Sequence, residues 1–210
     1  MYSKRDNLLF VHIPKTGGQT ILVHFLEKYN INWKDRGELF GNKIKVLDRE
    51  VIGEHLTYQE YLKYNIITND DMINLNTFSI VRNPYERFLS YYYMRKNKDK
   101  FLDLSLETMM KDCSNFLKTK DDELKYSKPY VMIKPQHLYL QNSKNVKVFK
   151  YENYNEVEEY LKSFGIKQIL KRNVGSKKAK ENHKENLKKC IDFVNEYYEK
   201  DFETFDYKMI

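Results

Sequence analysis

The chain has 210 residues, of which 41% are hydrophobic, 15% aromatic and 32% charged, and its net charge at pH 7 is +7. This composition excludes intrinsic disorder, and no apolar run reaches the length of about 18 residues that a transmembrane helix needs. The length predicts a single domain over residues 1–210. The first residues lead directly into a strand-like run, so we expect no signal peptide.

Cysteine content and charge bear on the compartment and on the partners. The two cysteines, Cys113 and Cys190, lie far apart in the sequence and predict neither a disulfide framework nor a cysteine-based zinc site. They favour a reducing cytoplasm. The positive charge suits nucleic acid, an anionic glycan or a phosphorylated nucleotide, and it does not discriminate among these partners.

Strand and helix patterns alternate along the chain, which predicts an α/β three-layer fold with a mainly parallel sheet flanked by helices. Strands are predicted over Asn7–Ile13, Thr77–Val81 and Val146–Tyr151. Helices are predicted over Gln19–Tyr29, Thr57–Tyr64, from Pro84 onward, and over Phe101–Lys118, Asn155–Phe164 and Glu181–Tyr198. The last helix is followed by a predicted packing tail with Phe202, Phe205 and Tyr207, and Lys171–Lys180 is predicted to be a surface loop.

The segment PKTGGQT, residues 14–20, lies between the first predicted strand and the first predicted helix. Glycines let backbone N–H groups approach an anion, and the N-terminus of the following helix adds a favourable dipole. The pattern predicts a P-loop-like phosphate-binding loop, although its lysine precedes the glycines, unlike the Walker pattern GxxxxGK[ST]. The alternative is an ordinary glycine turn with a capping threonine. The candidate residues are Lys15, Thr16, Gly17, Gly18, Gln19 and Thr20.

A second candidate anion site follows the strand at Thr77–Val81. Arg82 stands at the carboxyl end of that strand, where α/β sheets bind ligands, and Ser90 lies two turns into the next helix. Alternatively, Arg82 or Arg87 pairs with Glu86 or another carboxylate and has a structural role. For Arg87 we favour that structural role.

With these two segments, the chain resembles the carbohydrate sulfotransferases that use 3′-phosphoadenosine 5′-phosphosulfate (PAPS). It is most similar to the group with uronyl 2-O-sulfotransferases and short bacterial members. FVHIPKTGGQT is similar to the family's 5′-phosphosulfate loop and VRNPYERFLSYYY to its 3′-phosphate segment, while VFKYENY (148–154) and YEKDFETFDY (198–207) are weaker matches. Gln19 stands where the family usually has threonine or serine, and we expect no counterpart of the membrane anchor of the Golgi members.

The resemblance implies a role for each candidate residue. The loop residues 15–20 would hold the 5′-phosphosulfate, and Lys15 would stabilise the charge that develops on the bridging oxygen. Arg82 and Ser90 would hold the 3′-phosphate, and a late basic loop with Ser176 and Lys177 would contact the donor. The acceptor would be a hydroxyl of a carbohydrate or of another molecule. Neither a nucleic acid nor a membrane segment is an expected partner, and the oligomeric state is not predicted.

His55, in the segment Gly53-Glu54-His55, resembles the family's catalytic histidine. A histidine with the usual pKa near 6.5 suits general-base catalysis near neutrality. Glu54 beside it is the rival base. The remaining histidines have other predicted surroundings: His12 beneath the loop, His24 on the first helix, His137 near a helix entered at Pro135, and His183 on a basic surface.

Three other functions remain open from the sequence. A nucleotide-dependent kinase is disfavoured by the displaced lysine and by the lack of a magnesium-binding aspartate. A basic nucleic-acid-binding domain is disfavoured because the basic residues are spread along the chain. The third is a catalytically inactive family member that only binds nucleotide. No spacing of His, Cys, Asp and Glu predicts a metal site, in line with the metal-independent chemistry that the resemblance implies.

Overall fold

The computed structural model describes residues 1–40, 43–46, 49–98, 104–120, 125, 127–167 and 182–210, without the side chains of 43–46, 49–52, 72 and 98. The chain divides into two compact units. Unit 1 comprises Met1–Val81 and Leu138–Arg172, and unit 2 comprises Arg82–His137 and Asn173–Ile210. The single domain over residues 1–210 stays a prediction.

Unit 1 is built on a four-stranded sheet. Its strands are β1 (Tyr2–Ser3), β2 (Leu8–Val11), β5 (Asn76–Val81) and β6 (Val146–Lys150), in the order β1–β2–β5–β6. β5 pairs in parallel with β2 and β6, and β1 is antiparallel to β2. All of β2 is buried, as a continuous apolar run in a parallel sheet requires. A separate hairpin, β3 (Lys43–Val46) with β4 (Arg49–Ile52), is not predicted by the hydrophobic pattern.

Helices and short 3₁₀ turns complete the described part of unit 1. The helices are α1 (Gly18–Tyr29), α2 (Tyr58–Lys63), α3 (Asn69–Asn74) and α7 (Tyr154–Lys162), and the 3₁₀ segments are Trp33–Phe40, Gly53–His55 and Tyr151–Asn153. The apolar face of α1 packs with the sheet in one core. Phe25 of α1 is fully buried there with Phe10 and Phe78, whose rings stack across β2 and β5 at 4.6 Å between centroids.

Unit 2 is helical in its described part. Its helices are α4 (Pro84–Lys98), α5 (Leu106–Leu117), α6 (Lys128–Ile133) and α8 (His183–Phe205), and its first segment ends with Gln136 and His137, the first two residues of the 3₁₀ turn Gln136–Tyr139. Phe88 and Leu89 of α4 share a core with Val194 and Phe202 of α8. Among the described helices, none combines the length and the hydropathy that a membrane crossing requires.

The predicted α/β class with a mostly parallel, helix-flanked sheet is confirmed, and the predicted end of the last helix is wrong. The final helix continues to Phe205, so Phe202 and Phe205 are buried helical residues and not a separate tail. α8 departs from helical geometry at Tyr198, but the hydroxyl of Tyr198 donates to the Ile133 carbonyl at 2.8 Å and holds the helix through this kink. The predicted loop 171–180 lies outside the described residues.

Candidate active site

The loop between β2 and α1 turns through left-handed backbone conformations. Lys15 has φ +70° and Gly17 has φ +87°. A non-glycine residue with positive φ is uncommon, and such residues concentrate at functional sites. The N–H of Thr20 donates to the Gly17 carbonyl at 3.0 Å and closes the first turn of α1, whose first turn contains no acidic residue. Residues of alternating hand before a helix N-terminus can form a concavity of N–H groups for an anion.

Close packing explains both glycines of the loop. A Cβ at Gly18 would lie 2.1 Å from Cδ2 of His12, and one at Gly17 would lie 2.9 Å from Cε2 of Tyr151. Thr16 is fully buried, and its hydroxyl donates to the Ile13 carbonyl at 2.8 Å. The Thr16 hydroxyl proton therefore holds the loop together, which leaves the backbone N–H of this residue as its possible contribution to an anion site.

The other predicted loop residues differ in exposure. Lys15 is partly exposed, Gln19 is exposed and Thr20 is buried. The cation of the loop is thus partly accessible to solvent. Tyr151, whose ring packs on the loop at Gly17, was not singled out from the sequence. The available signal was the weak match of VFKYENY, which contains it.

The His55 side chain is hydrogen-bonded to the backbone of His12, two residues before this loop begins at Pro14. His55 ends the 3₁₀ turn Gly53–His55, and its Nδ1 lies 3.1 Å from the carbonyl oxygen of His12. Because a carbonyl oxygen only accepts, Nδ1 carries the proton in this hydrogen bond, and the lone pair of neutral imidazole resides on Nε2. Nε2 is therefore the atom of His55 that can accept a proton.

His12 fills the space between this histidine and the loop. It is 3% exposed, its ring centroid lies 4.5 Å from that of His55, and its Cδ2 edge faces Gly18. The predicted packing beneath the loop is thereby confirmed. Burial, and then the charge that His55 carries when protonated, holds the pKa of His12 well below 6.5, so His12 is neutral near pH 7.

Glu54 completes a group of three in unit 1. Its Oε1 is 4.0 Å from Nδ1 of His12, which is too far for a hydrogen bond. This Nδ1 is buried and has no hydrogen-bond partner within the part of the chain that the structure describes. One donor atom from each of His12, Glu54 and His55 lies within 4.8 Å of the other two. The spacing of these residues in the sequence did not indicate the group, because folding brings His12 together with a segment about 40 residues later.

In unit 2, Arg82 has a fixed backbone. Its N–H donates to Oε1 of Gln136 at 2.9 Å, and Nε2 of Gln136 donates back to the Arg82 carbonyl at 2.9 Å. The guanidinium side chain is 19% exposed and lies 3.5 Å from Oε2 of Glu86. Gln136 has no exposed surface, and no sequence signal marked it because its role depends on a contact 54 residues away.

The remaining residues of the second predicted site have separate positions. Ser90 lies on α4 and is partly exposed. Arg87 is buried and donates to the carbonyls of Met132 and Lys134 at 3.3 and 3.0 Å, contacts that support a structural role for this side chain. Ser176 and Lys177 lie outside the described residues.

The three other histidines each lie beside a carboxylate. His24 on α1 is 3.3 Å from Glu27 of the same helix. In unit 2, Nδ1 of His137 is 2.7 Å from Asp201, and Nε2 of His183 is 2.8 Å from Glu86. The partner of His183 is thus acidic, whereas the sequence predicted a basic surface around it.

A family model described as "Sulfotransferase family" matches residues 1–208, nearly the whole sequence. A search of curated proteins and a search of solved structures gave no match.

Proposed function

Because the chain belongs to the sulfotransferase family, we propose that this transferase takes its sulfuryl group from PAPS and delivers it to a hydroxyl of a carbohydrate. The observation that carries the proposal is the hydrogen bond between Nδ1 of His55 and the His12 carbonyl. It fixes a proton acceptor on the backbone two residues before the loop that begins at Pro14. A base and a cationic loop are the two parts that transfer of a charged group to a hydroxyl requires.

The loop would bind the phosphosulfate end of the donor. Lys15 supplies a partly exposed cation, and the start of α1 supplies N–H groups and the positive end of the helix dipole. The absence of an acidic residue in the first turn of α1 leaves that end electropositive. The residues we assign to it are Lys15, Thr16, Gly17, Gly18, Gln19 and Thr20.

The transfer step assigns a task to each of two side chains. Nε2 of His55 accepts the proton of the acceptor hydroxyl while the oxygen of that hydroxyl bonds to sulfur. The Lys15 ammonium stabilises the negative charge left on the phosphate oxygen as its bond to sulfur breaks. Because that charge is larger in the transition state than in the bound donor, the Lys15 interaction strengthens during the reaction and accelerates it.

We assign the 3′-phosphate of the donor to Arg82 and Ser90. The two bonds to Gln136 hold the backbone of Arg82, and its guanidinium offers a planar fork of donors that matches a phosphate. Its ion pair with Glu86 keeps the side chain ordered before a ligand arrives. Ser176 and Lys177 remain candidates for a further donor contact.

The proposal of a carbohydrate acceptor rests only on the resemblance of the sequence to carbohydrate sulfotransferases. A reducing compartment, the cytoplasm, is proposed from the thiols, because Cys113 and Cys190 are both buried and unpaired with each other. Near pH 7 both are uncharged, since burial raises the pKa of each thiol to about 12. Neither cysteine is therefore expected to take part in transfer.

The test is a thermal-shift titration without metal. Adenosine 3′,5′-bisphosphate, the product nucleotide, should stabilise the protein more than AMP or ATP does. At a concentration one hundred times its Kd, the bisphosphate should raise the free energy of unfolding by about 2.7 kcal/mol. Lys15→Ala and Arg82→Ala should each reduce the shift. Lys162→Ala is the matched control, because Lys162 is an exposed lysine paired with Glu159.

The same titration separates the other functions. An equal or larger shift with Mg·ATP would favour the kinase. No shift with any nucleotide, combined with salt-dependent binding to an oligonucleotide, would favour the nucleic-acid-binding domain. A bisphosphate shift without any transfer to a panel of carbohydrates would indicate the inactive nucleotide-binding member.

A further inference from the structure

His12, Glu54 and His55 bring three metal-binding side chains together. One donor atom of each lies within 4.8 Å of the others, and within the described residues this is the one group of three that meets the condition. The residues come from two places, the end of the β2 segment and the turn Gly53–His55. Two imidazoles and a carboxylate are a ligand set that binds Zn²⁺ with a fourth position open.

An independent observation concerns Nδ1 of His12. His12 is 97% buried, since 3% of it is exposed, and Nδ1 finds no hydrogen-bond partner in the described chain. A buried polar atom without a partner is rare and calls for an explanation. The Gly18 backbone against the Cδ2 edge fixes the ring, so Nδ1 faces Glu54, whose Oε1 is 4.0 Å away.

The orientation of His55 suits the same ligand. Its Nδ1 is engaged with the His12 carbonyl, which leaves the lone pair on Nε2. A hydrogen bond from the second ring nitrogen to a backbone carbonyl is the arrangement that orients metal-binding histidines. His12 thus contributes to the site twice: its carbonyl orients the His55 ring, and its imidazole offers Nδ1 as a ligand.

The three ligand atoms must move closer together to hold an ion. Ligand atoms at about 2.0–2.2 Å from a tetrahedral zinc ion lie about 3.4 Å from each other. The 4.0 Å between Nδ1 of His12 and Oε1 of Glu54 is larger, so the group must contract. Glu54, with 20% of its side chain exposed, is free to rotate inward more than the buried His12.

We propose that Nδ1 of His12, the Glu54 carboxylate and Nε2 of His55 form a binding site for a zinc-like divalent ion, and that the bound ion inhibits sulfuryl transfer. The inhibitory part rests on the proposed function. A lone pair that binds a metal ion cannot accept the proton of an acceptor hydroxyl. The ion is thus a reversible inhibitor and not a cofactor of the reaction.

Binding is measured first, without reference to activity. Zn²⁺ is titrated into the metal-free protein by calorimetry, and Co²⁺ is titrated while its visible absorption is recorded. The wild type should bind one ion, and Co²⁺ should give the intense bands of a four-coordinate site. Removal of a residue that only hydrogen-bonds to a metal ligand lowers metal affinity by about 10–100-fold. Glu54→Gln and His55→Ala each change a ligand itself, so each should lower the affinity by at least about 100-fold.

The matched control is His24→Gln. His24 and Glu27 are a histidine–glutamate pair in the same unit, 3.3 Å apart. Among the described residues, this pair does not belong to a group of three metal-binding side chains. Removal of His24 should leave the affinity and the Co²⁺ spectrum unchanged. No stoichiometric binding by the wild type, or equal binding by Glu54→Gln, would overturn the site.

Inhibition is then measured on the wild type with and without a chelator. Zn²⁺ should abolish transfer and the chelator should restore it. Transfer that is unchanged or faster with the ion bound would overturn the inhibitory role. Failure of the proposed function would be seen separately, as the absence of a bisphosphate thermal shift in metal-free protein, a measurement that does not involve the ion.

Discussion

The two units each contain a histidine and an acidic residue in close proximity, and the two pairs are organised differently. In unit 2, Asp201 has no exposed surface and accepts three hydrogen bonds. The N–H of Gln136 donates to it at 2.7 Å, the N–H of His137 at 2.8 Å, and Nδ1 of His137 lies at 2.7 Å. Each of these three nitrogen atoms therefore has the Asp201 carboxylate as its hydrogen-bond partner.

In unit 1 the corresponding distance is 4.0 Å, and Nδ1 of His12 has no hydrogen-bond partner in the described chain. Low dielectric makes an unmet hydrogen bond costly, so a fold keeps such a group only where something else requires it. A satisfied cluster such as that of Asp201 stabilises a helix. An unsatisfied cluster beside a cationic loop is the place where we expect a ligand or a proton transfer.

The largest expected effect is on turnover. His55→Ala should lower sulfuryl transfer by about 10²–10⁴-fold, the usual cost of losing a general base. The affinity for adenosine 3′,5′-bisphosphate should hardly change, because the base contacts the acceptor and not the donor. His137→Ala should leave transfer by the folded protein unchanged. Rates with a working acceptor and nucleotide affinities by calorimetry measure the difference.

Glu54→Gln decides between the two candidate bases. It keeps the shape of the side chain and removes its basicity, and we expect a smaller loss than in His55→Ala. An inactive Glu54→Gln together with an active His55→Ala would assign the base to Glu54. Circular dichroism on His55→Ala completes the comparison, because an unfolded variant would give His55 a structural role.

The second prediction concerns stability. Asp201→Ala leaves the N–H groups of Gln136 and His137 without an acceptor in a buried position, so the free energy of unfolding should fall by about 3 kcal/mol. Glu54→Ala removes a partly exposed group without a short bond, and its effect should be within about 0.5 kcal/mol. Urea unfolding followed by circular dichroism gives both values. Similar losses in the two variants would remove the distinction between the clusters.

The third prediction separates the two cations that are assigned to the donor. Each is expected to contribute about 1.5–3 kcal/mol as a hydrogen bond to a charged group, which is about 10–150-fold. Lys15→Ala should lose this factor mainly in kcat, because the charge near Lys15 grows in the transition state. Arg82→Ala should lose it mainly in KM for PAPS, because the 3′-phosphate does not change during transfer.

Two controls accompany these kinetics. Lys15→Gly removes the ammonium and also relieves the positive φ of this residue, so it should be as slow as Lys15→Ala and somewhat more stable. Arg82→Lys keeps the charge without the planar fork and should lie between the wild type and Arg82→Ala. A loss confined to KM in both Lys15 variants would contradict the role of Lys15 in the transition state.

The fold was predictable where local chemistry determines it. The buried run Leu8–Val11 indicates a parallel strand, and Pro84 marks the first residue of α4, as the structure confirms. The extension of α8 past Tyr198 was not predictable, because the bond from Tyr198 to Ile133 spans 65 residues. Local patterns contain the propensity of a segment, whereas the position of its end depends on contacts made elsewhere.

In the candidate site, too, local features could be predicted and contacts between distant residues could not. The loop around Lys15 was predicted from its residues, and the segment of His55 was predicted from the family resemblance. The proximity of His12 to Glu54 was not, because no spacing rule reports which strand end and which turn meet. Gln136 was likewise not apparent, since an isolated glutamine in a sequence carries no sign that it will bind the backbone of Arg82.

The smallest expected effect concerns the cap that follows His55. The Thr57 hydroxyl accepts the N–H of Glu60 at 3.2 Å, and the Glu60 carboxylate accepts the N–H of Thr57 at 2.7 Å, which together form a capping box at the start of α2. Thr57→Ala should lower the free energy of unfolding by about 1 kcal/mol. Thr57→Ser keeps the hydroxyl and is the matched control.

The same variant tests whether the turn before α2 positions the base. His55 precedes the cap by two residues, and its own anchor is the His12 carbonyl. If that anchor is sufficient, Thr57→Ala should retain the pH dependence of transfer and lose less than about tenfold in rate, since 1.4 kcal/mol corresponds to one factor of ten. A loss as large as that of His55→Ala, in a variant that circular dichroism shows to be folded, would show that the cap and not the His12 carbonyl holds the base in place.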